Sequence, residues 1–268
     1  MADKKPTSGY FKNGLPYNRS GSGPRDLIVF QGLLFENKPQ PIFFSRTYKF
    51  LWERYTVYEV LRRPGLPEGY TLETMADDYA ELIRSEFNPP VDIIGVSTGG
   101  SIAQVFAVRH PDLIRRMVIH SSAYKLSEPA RELQKRIARQ AGERNWTGAY
   151  AWMLDYMIPP RQPQRILLKL VFPFVAWAMG LFGHPASPSD LVVTVEAEDR
   201  FNYKNHLVDI KVPTLIAAGE KDPFYTKDLF RDTAAGIPGA KLALYPDMGH
   251  PALGRQFESD VLEFLSQD

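Results

Sequence analysis

Gly95-Val96-Ser97-Thr98-Gly99 decides the fold of this chain, because it places a serine between two glycines where two elements meet. An apolar run at 91–94 precedes the motif, and a helical pattern at 101–108 follows it. A strand that turns sharply into a helix holds its middle residue in a cramped backbone conformation, and small neighbours let the two elements approach. The motif therefore predicts a Ser97 hydroxyl that projects above the edge of a sheet, within reach of a substrate.

Strands and helical patterns alternate on both sides of this motif. Thr71 is predicted to cap a helix that runs to about Phe87, and another helix is predicted at 251–265. Asn13-Gly14 predicts a tight hairpin turn with positive φ at both residues. Strands are predicted at 27–30, 55–60, 117–120, 212–219 and 241–245. This alternation predicts right-handed crossovers and an α/β fold with a mostly parallel central sheet flanked by helices.

Composition and charge exclude several classes of function. Lys plus Arg total 32 and Asp plus Glu total 31, so the net charge of +1 exerts no long-range attraction on nucleic acid or anionic membranes. The chain has no cysteine, which excludes disulfides, thiolate metal sites and a cysteine nucleophile. The first residues lead into no apolar segment typical of a secretory signal, and we therefore expect a cytoplasmic protein.

The alternation of strands and helices breaks between residues 124 and 205. Most of this stretch shows no strand pattern, so we predict a helical insertion into a core made of 1–123 and 206–268. Within it, Ile166–Phe182 is strongly apolar but contains a Lys, a Pro and a Gly, and its length is at the lower limit for a membrane span. We interpret it as a helix of the insertion and keep contact with a membrane surface as an alternative.

A serine nucleophile needs a histidine base, and that base needs an orienting carboxylate. His250 directly follows one predicted strand and Asp222 follows another, and ligands of an open α/β sheet gather at such strand ends. Asp209, Asp228 and Asp247 are rival carboxylates, but only Asp222 comes directly after an apolar strand. The chain order serine, aspartate, histidine is the order expected of a nucleophile-elbow hydrolase.

In these motifs the chain resembles the α/β-hydrolase superfamily, and the resemblance covers nearly the whole sequence. It rests on 95–99, on 212–222 and on the Met-Gly-His at 248–250. The resemblance implies that Ser97 is the nucleophile, His250 the general base and Asp222 the orienting carboxylate. It also implies that the insertion at 124–205 is a cap, or lid, over the active site.

The family builds its oxyanion hole from two backbone N–H groups. The resemblance assigns one of them to Thr98, which follows the nucleophile, and the other to the loop after the first buried strand, where we favour Leu33. Many members carry His-Gly in that loop, whereas this chain carries Gln31-Gly32. The backbone donor is retained, but the hydrogen bonds of the loop itself are expected to differ.

Candidate contacts for the substrate are less specific than the triad. His120 ends a strand and could face the pocket, but we favour a wall position for it and keep contact with the substrate as the alternative. A cap helix would line an apolar pocket. The candidate substrate contacts are Gln31, His120, Phe172, Phe174 and Trp177. They predict a small-molecule substrate with a sizeable apolar group.

We therefore predict a serine hydrolase that cleaves a carboxylic ester through an acyl-serine intermediate, with no cofactor and no metal. His110, His184 and His206 lack the spacing of metal ligands. The same triad also serves amide or aminopeptidase-like cleavage, lactone opening, C–C bond cleavage and haloperoxidase-like perhydrolysis. A non-catalytic small-molecule receptor on this scaffold is an alternative of a different class. The pattern leaves the physiological substrate and the oligomeric state open.

Overall fold

A central eight-stranded sheet organises the described part of the chain. The structure is a computed structural model that describes residues 6–41, 46–157, 171, 173–178, 180 and 185–267. The strands are β1 (Thr7–Tyr10), β2 (Pro16–Gly21), β3 (Arg25–Phe30), β4 (Tyr55–Val60), β5 (Val91–Val96), β6 (Ile114–His120), β7 (Thr214–Gly219) and β8 (Lys241–Tyr245). Their spatial order is β1-β2-β4-β3-β5-β6-β7-β8. The antiparallel pairs are β1 with β2 and β2 with β4, whereas β3 to β8 run parallel, so the predicted mostly parallel sheet is confirmed.

Helices cover both faces of this sheet. The α-helices with described bounds are α1 (Leu72–Glu86), α2 (Thr98–Arg109), α3 (Glu128–Gly142), α4 (Trp146–Met157), α5 (Ser189–Asp199), α6 (Lys227–Gly236) and α7 (Arg255–Ser266). Short 3-10 helices occupy Lys49–Leu51, Pro111–Leu113 and Lys204–Asp209. The predicted helix N-cap at Thr71 is present, since the Thr71 side chain accepts a hydrogen bond from the N–H of Thr74.

The parallel strands are apolar on both sides because each side packs against helices. In β3, Ile28 and Phe30 pack in the core on the side of α1 and α2, whereas Leu27 and Val29 pack on the side of α7. Burial of such a side chain contributes roughly 1.5–3 kcal/mol. Successive residues of one strand therefore stabilise two different layers, and the sheet is fixed from both faces.

Two local predictions are wrong in detail. In the first hairpin only Gly14 has a positive φ, at 86°, because the N–H of Phe11 bonds to the carbonyl of Leu15 and forms a longer loop than a two-residue turn. The last helix begins at Arg255 rather than at 251, directly after Gly254 with its φ of 141°. That φ is outside the range of a helix and delays the first turn.

The stretch 124–205 is helical or irregular wherever it is described, and its described residues include no strand. It contains α3, α4 and α5, and residues 173–178 are helical. Most of Ile166–Phe182 lies outside the described residues. Among the helices that the structure describes, none combines the length and the apolar character needed to cross a bilayer.

Candidate active site

Ser97 lies at a sharp turn between β5 and α2. Its φ of +52° and ψ of −125° are sparsely populated for a residue with a side chain, at a cost of about 1–3 kcal/mol. The flanking glycines make the turn possible. A Cβ on Gly95 would lie 2.6 Å from the Cβ of Ala103, and one on Gly99 would lie 1.9 Å from the carbonyl oxygen of Phe30. The sequence motif thus corresponds to a tight strand-turn-helix junction.

The structure brings Ser97, His250 and Asp222 into one chain of hydrogen bonds. The Nε2 of His250 lies 3.0 Å from the Oγ of Ser97, and its Nδ1 lies 2.7 Å from the Oδ2 of Asp222. The Asp222 side chain is fully buried, and that of His250 is 9% exposed. The Oδ1 of Asp222 accepts hydrogen bonds from the backbone N–H groups of Phe224 and Tyr225. The carboxylate is therefore held on one side by backbone and on the other by imidazole.

The loops after β7 and β8 carry Asp222 and His250 and contact each other closely. The N–H of Lys221 donates to the carbonyl of Met248 at 3.0 Å. Gly219 permits this approach, since a Cβ there would lie 2.1 Å from the same carbonyl oxygen. Two residues that are 28 positions apart in sequence are thus fixed against each other by backbone contacts.

Two backbone N–H groups lie beside Ser97. Thr98 is the first residue of α2, so its N–H has no partner within that helix. Gly32 packs against Ser97, because a Cβ at Gly32 would lie 3.3 Å from the Cβ of Ser97. No described residue accepts a hydrogen bond from the N–H of the next residue, Leu33. Within the described residues, the Leu33 N–H therefore has no acceptor and the Thr98 N–H has none inside α2.

A cavity of about 210 Å³ opens onto Ser97 and His250. Of the predicted contacts, Gln31 and Leu33 line it. Sequence reasoning missed further lining residues, namely Leu34, Val96, Gln134, Met153, Phe224 and Pro251. An adjoining cavity of about 320 Å³ shares Gln31, Leu34, Val96 and Pro251 with it. A separate cavity of about 230 Å³ between the start of α1 and the end of α5 contains none of the triad residues.

His120 does not line the cavity at Ser97, so the structure does not support its alternative role as a substrate contact. It is fully buried, with its Nδ1 2.9 Å from the hydroxyl of Tyr48 and its Nε2 2.8 Å from the carbonyl of Ala252. Its ring stacks on Phe257. Burial lowers the pKa of His120 to about 3, so the ring is neutral at pH 7. This buried position agrees with the favoured interpretation of His120 as a wall residue.

The structure also differs from the predicted substrate contacts of the aromatic residues in 124–205. Phe174 is 65% exposed and Trp177 is 49% exposed. Their rings contact each other, with centroids 5.6 Å apart, and neither lines the cavity at Ser97. Phe172 lies outside the described residues. The stretch 124–205 instead contributes Gln134 from α3 and Met153 from α4 to the cavity.

A buried carboxylate, Glu198 of α5, lies next to the residues that follow Ser97. It accepts hydrogen bonds from the hydroxyls of Thr98 at 2.8 Å and Ser101 at 2.9 Å, and from the Gln134 amide at 3.2 Å. Burial raises the pKa of Glu198, whereas these hydrogen bonds and the Arg62 guanidinium oppose the rise. A single Glu in a helical segment has no sequence signature, so this contact could not be predicted.

The described part of the chain contains no group of three or more His, Asp or Glu side chains arranged to hold an ion. His110 instead pairs with Asp77 at 2.8 Å, and His206 lies 3.5 Å from Asp209. These histidines therefore belong to local ion pairs and hydrogen bonds.

A family model described as the alpha/beta hydrolase family matches residues 39–261, which include the whole Ser97–Asp222–His250 arrangement. The chain belongs to this family. The solved structure of MGS-M2, an alpha/beta hydrolase enzyme from a Medee basin deep-sea metagenome library, superimposes on this hydrolase with a TM-score of 0.81. The two chains are 18% identical, and the match covers 98% of each, which supports the shared fold.

Several curated relatives of this α/β hydrolase are named as hydrolases or esterases. A pimeloyl-[acyl-carrier protein] methyl ester esterase of Chromobacterium violaceum is 30% identical over 92% of this chain and 94% of its own. A 2-hydroxy-6-oxononadienedioate/2-hydroxy-6-oxononatrienedioate hydrolase of a Pseudomonas species is 23% identical over 97% of this chain and 95% of its own. Three other relatives align over 62–68% of their own length. The family and its relatives support hydrolase activity.

Proposed function

We propose that this α/β hydrolase is a serine esterase that acts on carboxylic esters with an apolar group. The observation that carries the proposal is the hydrogen-bonded chain from the Oγ of Ser97 through His250 to Asp222. A serine hydroxyl is a weak nucleophile at neutral pH, and an adjacent imidazole held by a carboxylate activates it. The similarity to a methyl ester esterase at 30% identity supports an ester as the substrate.

In the proposed mechanism, Asp222 accepts a hydrogen bond from the Nδ1–H of His250. This leaves Nε2 as the acceptor for the Ser97 proton. Ser97 attacks the ester carbonyl, and the N–H groups of Leu33 and Thr98 stabilise the oxyanion. His250 then protonates the departing alcohol. A water molecule activated by the same imidazole hydrolyses the acyl-serine.

The chemistry of the cavity supports an apolar substrate. Apart from Ser97, His250 and the two amides of Gln31 and Gln134, the described lining is apolar or backbone. An aminopeptidase needs a carboxylate in the pocket to bind the free amine of its substrate. Glu128 and Glu132 of α3 have side chains that are 68% and 62% exposed, and they form ion pairs outside the cavity. The described lining of the cavity contains no carboxylate.

We further propose that 124–205 is a cap on a core formed by 1–123 and 206–268. Two observations support this division. Gln134 and Met153 contribute to the cavity from α3 and α4. Glu198 joins α5 to the start of α2 through Thr98. A cap of this kind would limit the size of the acyl or alcohol group and exclude water during acyl transfer.

Hydrolysis of p-nitrophenyl esters of increasing acyl length tests the proposal. Ser97→Ala should abolish turnover, whereas Ser85→Ala, at a remote serine of α1, should leave it unchanged. A fluorophosphonate probe should label the wild type and Ser85→Ala but not Ser97→Ala. Turnover that persists in Ser97→Ala would contradict the proposal. Saturable binding of an ester with neither turnover nor labelling would indicate the receptor alternative.

A further inference from the structure

Arg62 is a buried cation whose hydrogen bonds go to the loop after β3. The residue is 1% exposed, its Nη1 donates to the carbonyl of Gln31, and its Nη2 donates to the carbonyl of Gly32, both at 2.9 Å. Strand register explains the contact. Phe30 of β3 pairs with Val60 of β4, so that Gly32 and Arg62 each lie two residues beyond the pair. The planar guanidinium fork suits two adjacent acceptors, and a lysine could not reproduce that geometry.

A polar network surrounds the Arg62 charge. Its Nη2 also lies 3.3 Å from the Oδ1 of Asn37, whose own N–H donates to Asp190 at 2.8 Å. Burial lowers the pKa of Arg62, and the carboxylates of Glu198 and Asp190 counter that effect. An arginine retains its proton even when buried, so hydrogen bonds that it leaves unmade are costly. The Nη1 and Nη2 groups of Arg62 bind the two loop carbonyls, whereas its buried Nε has no hydrogen-bond partner among the described residues. The two loop carbonyls are therefore held firmly in place.

Peptide geometry carries this constraint to the active site. The Gly32–Leu33 peptide is trans and planar, so its N–H points away from its C=O. Arg62 binds that carbonyl oxygen, and the N–H of Leu33 must point away from Arg62. Gly32 itself packs on Ser97, because a Cβ at Gly32 would lie 3.9 Å from the Oγ of Ser97. The bound carbonyl and the adjacent serine together define the direction of the Leu33 N–H.

We propose that Arg62 is a positioning residue that orients the Leu33 N–H toward the oxyanion formed at Ser97. The inference rests on the proposed esterase function and adds to it the group that prepares one oxyanion donor. The Gln31 side chain, at the position where many family members carry histidine, donates to the Oε1 of Glu59 at 3.1 Å. In this chain the loop is held by a guanidinium from the neighbouring strand end and not by an imidazole of its own.

Arg62→Met is the main test, with Arg63→Met as the matched control. Arg63 is the next residue in the sequence and loses the same charge when substituted, but it pairs with Asp78 at 2.8 Å and is more exposed. Loss of an oxyanion donor lowers kcat by about 10²–10³, and misorientation should cost part of that, about 10- to 100-fold. We expect this loss in Arg62→Met with KM changed less than about threefold, and near wild-type kinetics in Arg63→Met.

A second measurement separates positioning from general disorder. An alkyl boronic acid forms a tetrahedral adduct on Ser97, whereas the ether analogue of the ester binds without one. Arg62→Met should weaken the boronic acid by about the same factor as kcat and leave binding of the ether unchanged. Equal weakening of both ligands, or kinetics equal to those of Arg63→Met, overturns the inference.

Two further results keep the outcomes distinct. If Arg62→Met does not fold, Arg62→Lys retains the charge and should show a smaller loss of kcat with the same unchanged ether binding. Unaltered kcat in Arg62→Lys then counts against positioning by the guanidinium fork. A wild type that neither hydrolyses esters nor reacts with a fluorophosphonate overturns the proposed function itself. An active wild type with an unaffected Arg62→Met overturns only the role of Arg62.

Discussion

The imidazole of His120 donates a hydrogen bond from Nε2 to the carbonyl of Ala252 at 2.8 Å, two residues after His250. A carbonyl can only accept, so Nδ1 carries no proton and accepts from the hydroxyl of Tyr48. The N–H of Ala252 donates to the Oγ of Ser121 at 2.9 Å. The end of β6 thus holds the loop of His250 from both sides of one residue.

This arrangement predicts a pH dependence of stability. The folded pKa of His120, about 3, lies below the ordinary value of 6.5, so between these values the unfolded chain binds more protons. The contribution of His120 to the free energy of unfolding is therefore full above pH 6.5 and is lost as the pH falls toward 3, by up to about 1.4 kcal/mol per pH unit. Urea unfolding across this range should show a flatter profile for His120→Gln than for the wild type. Parallel profiles for the two proteins would contradict the neutral, clamped imidazole.

Asp222→Asn should separate activity from stability. The Oδ1 acceptor for the N–H groups of Phe224 and Tyr225 can be retained, which directs an amide N–H₂ at His250. That donor favours the imidazole tautomer with its proton on Nε2, which cannot accept from Ser97, and kcat should fall by about 10⁴. The melting temperature should change little. A kcat within tenfold of the wild type would assign the orienting role to another group.

Gly99 and Gly142 offer a matched test of the strand-turn-helix junction at Ser97. Gly99→Ala forces a Cβ to within 1.9 Å of the carbonyl oxygen of Phe30, so the start of α2 must move away from β3. We expect a loss of about 3 kcal/mol or more in the free energy of unfolding, together with loss of activity. Gly142→Ala, where no atom lies within 4 Å, should instead be neutral or stabilise by up to about 1 kcal/mol. Denaturant titration of both variants measures the contrast, and equal effects would refute it.

Acyl-length selectivity should depend on Met153 rather than on Trp177. Met153 lines the cavity at Ser97, whereas Trp177 is 49% exposed and outside it. Met153→Trp reduces the cavity volume, so kcat/KM for long acyl chains should fall about tenfold or more relative to acetate. Trp177→Ser should leave the ratio unchanged. The p-nitrophenyl ester series measures both, and a comparable shift in Trp177→Ser would restore the sequence-based assignment of the cap aromatics.

The fold was predictable because its signals are local. Continuous apolar runs such as 27–30 identify strands covered on both faces, and Gly95 to Gly99 identifies the strand-turn-helix junction. The pairing of strand ends followed from the rule that parallel strands gather their loops at one edge. These rules allowed Asp222 and His250 to be chosen without any knowledge of their distance.

The buried polar residues that surround the triad were not predictable, because their positions depend on packing between segments that are distant in sequence. His120 was a candidate for the pocket because it ends a strand. In the structure it packs between Tyr48 and Phe257, which are far apart in sequence. Arg62 and Glu198 carry no motif, and their partners become apparent only from the strand register and the helix packing. Periodicity identifies a buried face and does not reveal which buried polar group faces which backbone atom.

Because His250 follows the edge strand β8, loss of activity should report local opening at that edge of the sheet. β8 lies at one edge of the sheet, and only its last residue, Tyr245, is buried. His250 follows Tyr245 by five residues. Local opening of this strand would carry the imidazole away from Ser97 while the remaining layers stay intact. All four tryptophans, at positions 52, 146, 152 and 177, lie far from it in sequence. Under mild denaturant, turnover should therefore disappear before tryptophan fluorescence reports any unfolding.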